Sequence, residues 1–190
     1  MMRHTELIPH LFRTEYSKIV AVLYHSFDLR HLEIAEDIAS DTFLKAAEVW
    51  GIKGVPENPA AWLYTVAKNK TKDYFKHQSV FENKIKPIIG SDKMVTEPEF
   101  DFNERHIADS QLAMIFAVCK PGLRAESQIC LALQILCGFS VEEIANAFLT
   151  KPETIKKRLH RARTTLRDNQ FQIKMLSKIE IQTRLDVVLK

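Results

Sequence analysis

Phe139-Ser-Val-Glu-Glu-Ile-Ala-Asn-Ala-Phe-Leu149, followed at once by Thr150-Lys-Pro-Glu-Thr-Ile-Lys-Lys-Arg-Leu-His-Arg-Ala-Arg163, decides the reading of the last third of the chain. Ser140 and Glu143 have the spacing of a capping box, in which hydroxyl and carboxylate each take an orphan amide of the first turn. Thr150 and Glu153 repeat that signature ten residues on, with Pro152 in the first turn, where a missing N–H costs little. Two helix starts so close leave room for a short helix, a tight turn and a second helix. Ile144, Ala145, Phe148, Ile155 and Leu159 supply the apolar contact between the two. The second helix then shows Lys156, Lys157, Arg158, His160, Arg161, Arg163 and Arg167, with Glu153 and Asp168 as the nearby acids. A cationic helix held by a second helix suits the major groove of DNA. The alternative is a solvated basic face with no partner.

Working outward, apolar residues recur at helical rather than alternating spacing and only 5 of 190 residues are Gly, so the fold class is all-α. A first helix is expected from about Glu6 to Phe27, with a stripe through Leu11, Phe12, Tyr16, Ile19, Val20, Leu23, Tyr24 and Phe27. A second runs from about His31 to Trp50, with Ile34, Ile38, Phe43, Ala46, Ala47 and Trp50 inward, and Gly51 and Gly54 end it. Asn58 caps a third helix with Pro59 at its first position, running to about His77 or further. The pattern fades from Gln78 to Arg105, where Pro87, Gly90 and Pro98 interrupt it and Glu97, Glu99, Asp101 and Glu104 gather. That stretch reads as an acidic interdomain linker. Helical spacing resumes at about Ile107, pauses at Pro121-Gly122 and stops again at Gly138. The expected domains are therefore 1–77, a linker 78–105, a helix-turn-helix domain 106–170 and a C-terminal helix 171–190.

The net charge of +3 names no partner, but its distribution is uneven. Asp28, Glu33, Glu36, Asp37, Asp41 and Glu48 face only Arg30 and Lys45, whereas Lys68, Lys70, Lys72 and Lys76 stand against Asp73. Such alternation fits two different partners, or one partner and a self-contact. Lysines at four-residue spacing with Phe75 and Tyr74 nearby suit a nucleic-acid strand, lysines meeting phosphates while rings stack on bases. A lysine face over core aromatics is as common. Cys119, Cys130 and Cys137 make no disulfide framework, and Cys130 and Cys137 read as buried free thiols. The seven His lack ligand spacing, so no metal site is expected. No signal peptide and no membrane-length apolar segment is legible, which fits a cytoplasmic location without membrane contact. Neither a Gly-rich phosphate loop, a nucleophile elbow nor a paired-carboxylate pocket can be found, so no catalytic residue, enzyme activity or cofactor is assigned.

Ala35-Glu-Asp-Ile-Ala-Ser-Asp-Thr-Phe43, Asn58-Pro-Ala-Ala-Trp-Leu63 and Ala67-Lys-Asn69 with Asp73-Tyr74 resemble region 2 of extracytoplasmic-function sigma factors. Thr154-Ile-Lys-Lys-Arg-Leu-His-Arg-Ala-Arg163 resembles their region 4. The resemblance covers most of residues 10 to 168 in matching order, and it looks nearest the subgroup with a long helical C-terminal extension. It implies a dissociable subunit of bacterial RNA polymerase core that directs initiation at particular promoters. On that resemblance Glu36, Asp37 and Asp41 meet the polymerase clamp helices. Lys68, Asn69, Lys72, Asp73, Lys76 and His77 serve the melted minus-ten strand. Lys156, Lys157 and His160 reach base edges of the minus-thirty-five element, while Arg158, Arg161 and Arg163 clamp phosphates. An anti-sigma factor or the chain's own C-terminal extension would be a further partner. Leu149 departs from the family in standing where many members have the Gly of the turn, and Lys157 in standing where Ser is frequent. A helix-turn-helix regulator acting without polymerase is the rival, though it leaves the acidic second helix without a role. From Phe171 to Leu189 an apolar stripe continues, and the expectation is a helix that begins a missing domain, with packing on its own or a neighbouring domain as the runner-up.

Overall fold

The computed structural model describes residues 4–26, 32–85, 102–119 and 122–168. Among the described residues all regular structure is helical: α1 (His4–Ser26), α2 (Leu32–Lys53), α3 (Pro59–Ile85), α4 (Glu104–Val118), α5 (Ala125–Ile135), α6 (Val141–Ala147) and α7 (Pro152–Asp168). The C-terminal stripe and the acids Glu97, Glu99 and Asp101 lie outside the described residues, so those expectations stay where the sequence left them.

Helix α1 organises the molecule. From Ile19 to Tyr24 six successive residues are buried, so over that run the helix is apolar on every side rather than along one stripe. It packs on α2 and α3 with one flank and on α4 with the other. Helix α2 approaches it through Ala35, Ala39 and Ala46, small side chains that let two helices lie close, with Ile38, Phe43 and Trp50 filling the remainder. Ile34 is only half-buried and Ala47 is exposed, so the inward face is turned slightly from the one the spacing predicts. Gly51 is helical, and the helix ends at Gly54, whose φ of +85° is the left-handed conformation a terminating glycine takes. Asn58 caps α3 as expected, accepting from the Ala61 amide at 3.0 Å.

The second unit starts earlier than the linker reading allows. Asn103 caps α4 by accepting from the His106 amide at 2.8 Å, and α3 continues to Ile85, so 78–85 and 104–105 are helical. Phe102, just ahead of that cap, stacks on Tyr64 of α3 with ring centroids 4.7 Å apart. The Tyr64 hydroxyl in turn donates to buried Glu15 of α1, whose carboxylate also takes Lys18. The apolar core is continuous: Met114, Ala117 and Val118 of α4 and Leu131, Ile155 and Leu159 beyond join the cluster formed by α1, α2 and α3. The two units are thus packed on one another. Cys130 is buried as expected, and burial pushes its thiol up. Cys137 is exposed, because α5 stops at Ile135 and Cys137 stands in the turn before Gly138.

Candidate nucleic-acid and polymerase interface

The helix-turn-helix is built by two different end devices. At the start of α6 the Ser140 hydroxyl accepts from the Glu143 amide at 3.1 Å and the Glu143 carboxylate accepts from the Ser140 amide at 2.8 Å. These bonds hold the Glu143 carboxyl below its usual range. At its end the Leu149 amide donates to Asn146 and the Thr150 amide to Ala145, at 3.1 and 2.9 Å, the paired bonds of a Schellman motif. Leu149 occupies the glycine position of that motif at φ +49° and is 95% exposed. The turn therefore keeps its geometry without the glycine, at the expense of a left-handed leucine. The second capping box does not form. Helix α7 begins at Pro152, which puts Lys151 at the cap and Pro152 at the first helical position, while Thr150 closes the preceding turn.

Along α7 the residues Ile155, Leu159, Ala162 and Leu166 are buried at three- and four-residue spacing. On the opposite side Lys156, Lys157, His160 and Arg161 are exposed. Arg158 is half-buried, its guanidinium lying 5.9 Å from the centre of the Phe148 ring, so it braces α7 on α6. Lys157, Arg158 and Arg161 line an open cleft of about 470 Å³ together with Arg124, Gly122 and Thr165. Arg124, exposed at the cap of α5, belongs to this cationic wall, and the helical spacing of α7 contained no sign of it. A basic cleft beside an exposed basic helix suits a phosphate backbone.

Arg163 does not share that surface. Its guanidinium donates both arms to Glu36 of α2, one at 2.7 Å, and a further bond to Gln134 Oε1 of α5 at 2.8 Å. The two side chains are 21% and 13% exposed. Burial alone would lower the Arg163 pKa, but hydrogen bonding and the charge of Glu36 outweigh it and the net direction is up. Of the three acidic residues assigned to the polymerase, Asp37 and Asp41 are exposed and Glu36 is occupied; Asp41 also receives Lys70 of α3 at 3.2 Å.

On α3, Asn69, Lys72, Asp73, Lys76 and His77 are exposed and Lys68 is half-buried. Tyr74 and Phe75 pack edge to face, 5.7 Å between centroids, and both lean on the core. Ahead of the helix, Trp62 sits against buried Trp50 at 5.3 Å, which anchors the loop of Asn58 and Pro59 to the end of α2. The six α3 candidates therefore lie along one helix beside half-buried rings, and the α7 candidates lie on a separate helix. Among the described residues no group of His, Cys, Asp or Glu could hold a metal ion, and no helix is long and apolar enough to cross a membrane.

Comparison with known proteins finds two family matches along the chain. Residues 11–80 match sigma-70 region 2, and residues 115–166 match sigma-70 region 4. The chain is 26% identical over 168 residues to the RNA polymerase sigma factor YlaC of Bacillus subtilis (strain 168), covering 88% of this chain and 94% of that one. It is 31% identical over 134 residues to the ECF RNA polymerase sigma factor BldN of Streptomyces coelicolor, covering 70% and 49%. An uncharacterized protein of Rhizobium meliloti (strain 1021) is 34% identical over 137 residues, covering 70% of this chain and 32% of the relative. The chain thus spans about a third and about half the length of two of these relatives, and nearly all of the other. With region 2 and region 4 in series, the chain belongs with the extracytoplasmic-function sigma factors of the sigma-70 family.

Proposed function

We propose that this sigma-70 factor binds bacterial RNA polymerase core and directs initiation at particular promoters. The carrying observation is the pairing of an exposed cationic α7, seated on a capped α6, with a separate acidic α2 and lysine-bearing α3 in the order region 2 then region 4. In this reading α7 enters the major groove of the minus-thirty-five element. Lys156, Lys157 and His160 approach base edges, and Arg161 with Arg124 holds phosphates. On α3, Lys72 and Lys76 neutralise the melted minus-ten strand, while Asn69, Asp73 and His77 supply polar contacts beside the half-buried rings. Asp37 and Asp41 form the polymerase-facing acidic surface, and core enzyme supplies all of the chemistry. The place of action is the cytoplasm, where polymerase and promoter DNA are, and an anti-sigma factor would act by covering the same faces.

Reversing Asp37 and Asp41 to Lys is the direct test. Exposed charges contribute little to stability, so helicity should persist while co-elution with core in gel filtration is lost, together with core-dependent transcription from the gene's own upstream region. Unimpaired assembly would remove the α2 assignment. A finer reading places the chain in the subgroup with a C-terminal extension. Its support is the resemblance of the motifs to that subgroup; the Rhizobium meliloti relative is the longer protein, the aligned stretch spanning 32% of it. Deleting 172–190 tests it: a clear fall in the monomer's melting temperature would mean that those residues pack on the domains already present.

A further inference from the structure

We propose that Glu153 is a specificity residue of α7: its carboxylate accepts a hydrogen bond from the N4 amine of a cytosine in the minus-thirty-five element. The role rests on α7 entering the major groove, as in the function proposed above. In the sequence Glu153 has a different part, as the partner of Thr150 in a second capping box. The fold withdraws that part. The Thr150 amide, which the carboxylate would have taken, donates instead to Ala145 at 2.9 Å. Helix α7 starts from Lys151, whose carbonyl receives the amides of Thr154 and Ile155. Glu153 is left exposed in the first turn, and among the described residues no cation pairs with it.

Helical geometry fixes the side of α7 on which this carboxylate stands. With Ile155, Leu159 and Ala162 buried toward α5 and α6, residues 153, 156, 157 and 160 share the opposite side, and all four are exposed. A carboxylate among Lys156, Lys157 and His160 is ill suited to phosphates, because it cancels part of their charge and repels the backbone. It is well suited to a base edge. In the major groove the exocyclic amines belong to adenine and cytosine. Adenine sets the N7 acceptor beside its N6 amine, which repels a carboxylate, whereas the cytosine N4 amine has no acceptor on its own ring edge. A Glu brought into the groove without such an amine is desolvated and unpaired, so the other bases are penalised. The first turn also favours an anion through the helix dipole, but that contribution is the same on every sequence and makes no choice among bases. Lys157 follows one turn later, about 5.4 Å along the axis, and its ammonium suits guanine O6 and N7. Helix α7 therefore selects a cytosine and, within about two base pairs of it, a guanine.

The test is selection by the assembled holoenzyme from a promoter pool whose minus-thirty-five segment is randomised, with sequencing of the bound fraction. The wild type should enrich cytosine at one position at least about fivefold over each other base. Glu153→Ala should flatten that position alone, and it should hold duplex of unrelated sequence more tightly than the wild type, the repulsion being gone. Glu153→Gln should move the preference at the same position from cytosine to adenine, because an amide donates to N7 while it accepts from N6. A residue that only seats α7 could not exchange one base for another. Variant profiles superimposable on that of the wild type, or weakened equally at every position, would overturn the assignment while leaving α7 in the groove. A wild-type holoenzyme that enriched no minus-thirty-five sequence would overturn the groove reading and the assignment together.

Discussion

Helices α3 and α7 both carry cations, yet they present them in opposite ways. On α7 the buried stripe Ile155, Leu159, Ala162 and Leu166 is cleanly separated from Lys156, Lys157, His160 and Arg161, and the helix is seated at its start by Pro152 and by the Schellman turn before it. On α3 the lysines alternate with half-buried Tyr74 and Phe75, and its anchoring comes from the Trp50–Trp62 contact at its N-terminal end. A rigid rod with one cationic side fits a groove of fixed width, whereas lysines beside ring edges fit a strand whose bases are exposed. That contrast in packing, which net charge does not carry, is what the proposed reading uses in giving duplex to one helix and single strand to the other.

The largest way to break the comparison is through the α7 stripe. Leu159→Ala should cost about 3 kcal/mol of stability in chemical denaturation and take duplex binding with it, because the cavity lies under the reading face. Lys72→Ala on α3 should change stability by no more than about 0.5 kcal/mol, since its side chain is exposed. Equal losses would mean that α7 is not the more strictly seated helix.

A pH series probes the place where the two units meet. Burial first, and the Glu36 carboxylate second, raise the Tyr16 phenol from 10.0 to about 12. A phenol held protonated in the fold contributes its full share below about pH 10 and loses it as pH rises through about 12. The loss amounts to up to about 3 kcal/mol. Denaturation midpoints should therefore fall across that alkaline window, and Tyr16→Phe should flatten the slope.

Smaller effects sharpen the account of the turn. Ser140→Ala should destabilise by about 1 kcal/mol, removing the hydroxyl that accepts from the Glu143 amide while the Glu143 carboxylate keeps the amide of residue 140. Leu149→Gly should stabilise by about 0.5 kcal/mol, as relief of the left-handed backbone outweighs the added freedom of the unfolded chain and no buried area is lost. A destabilised Leu149→Gly would show that the exposed leucine makes a contact of its own.

Much of this was legible in the residues, and the parts that were not have physical causes. Short-range signals held: the Ser140–Glu143 box, the Asn58 cap and the apolar period of α7 all act within one or two turns. Thr150–Glu153 had the same spacing, but closure of the α6 turn claimed Thr150 first. Cys137 looked helical because it continued the period of α5, which ended two residues earlier. The pairing of Arg163 with Glu36 has no local signature, although Arg163 follows Ala162 directly and lies four residues from Leu159, at the edge of the buried stripe. The run Ile19–Tyr24 held the clearest unread sign that the units pack together, since a helix apolar on every side must be covered on every side.

The division of labour between α3 and α7 is tested most directly by following a 2-aminopurine base in the minus-ten region of the non-template strand, with each variant assembled on core polymerase. Lys157→Ala/Arg161→Ala should need more promoter to bind, with a shallower salt dependence, yet reach normal fluorescence once bound. Lys72→Ala/Lys76→Ala should bind promoter duplex at nearly the wild-type concentration and give little fluorescence rise. Identical defects in binding and opening for the two pairs would contradict the assignment of duplex to α7 and single strand to α3.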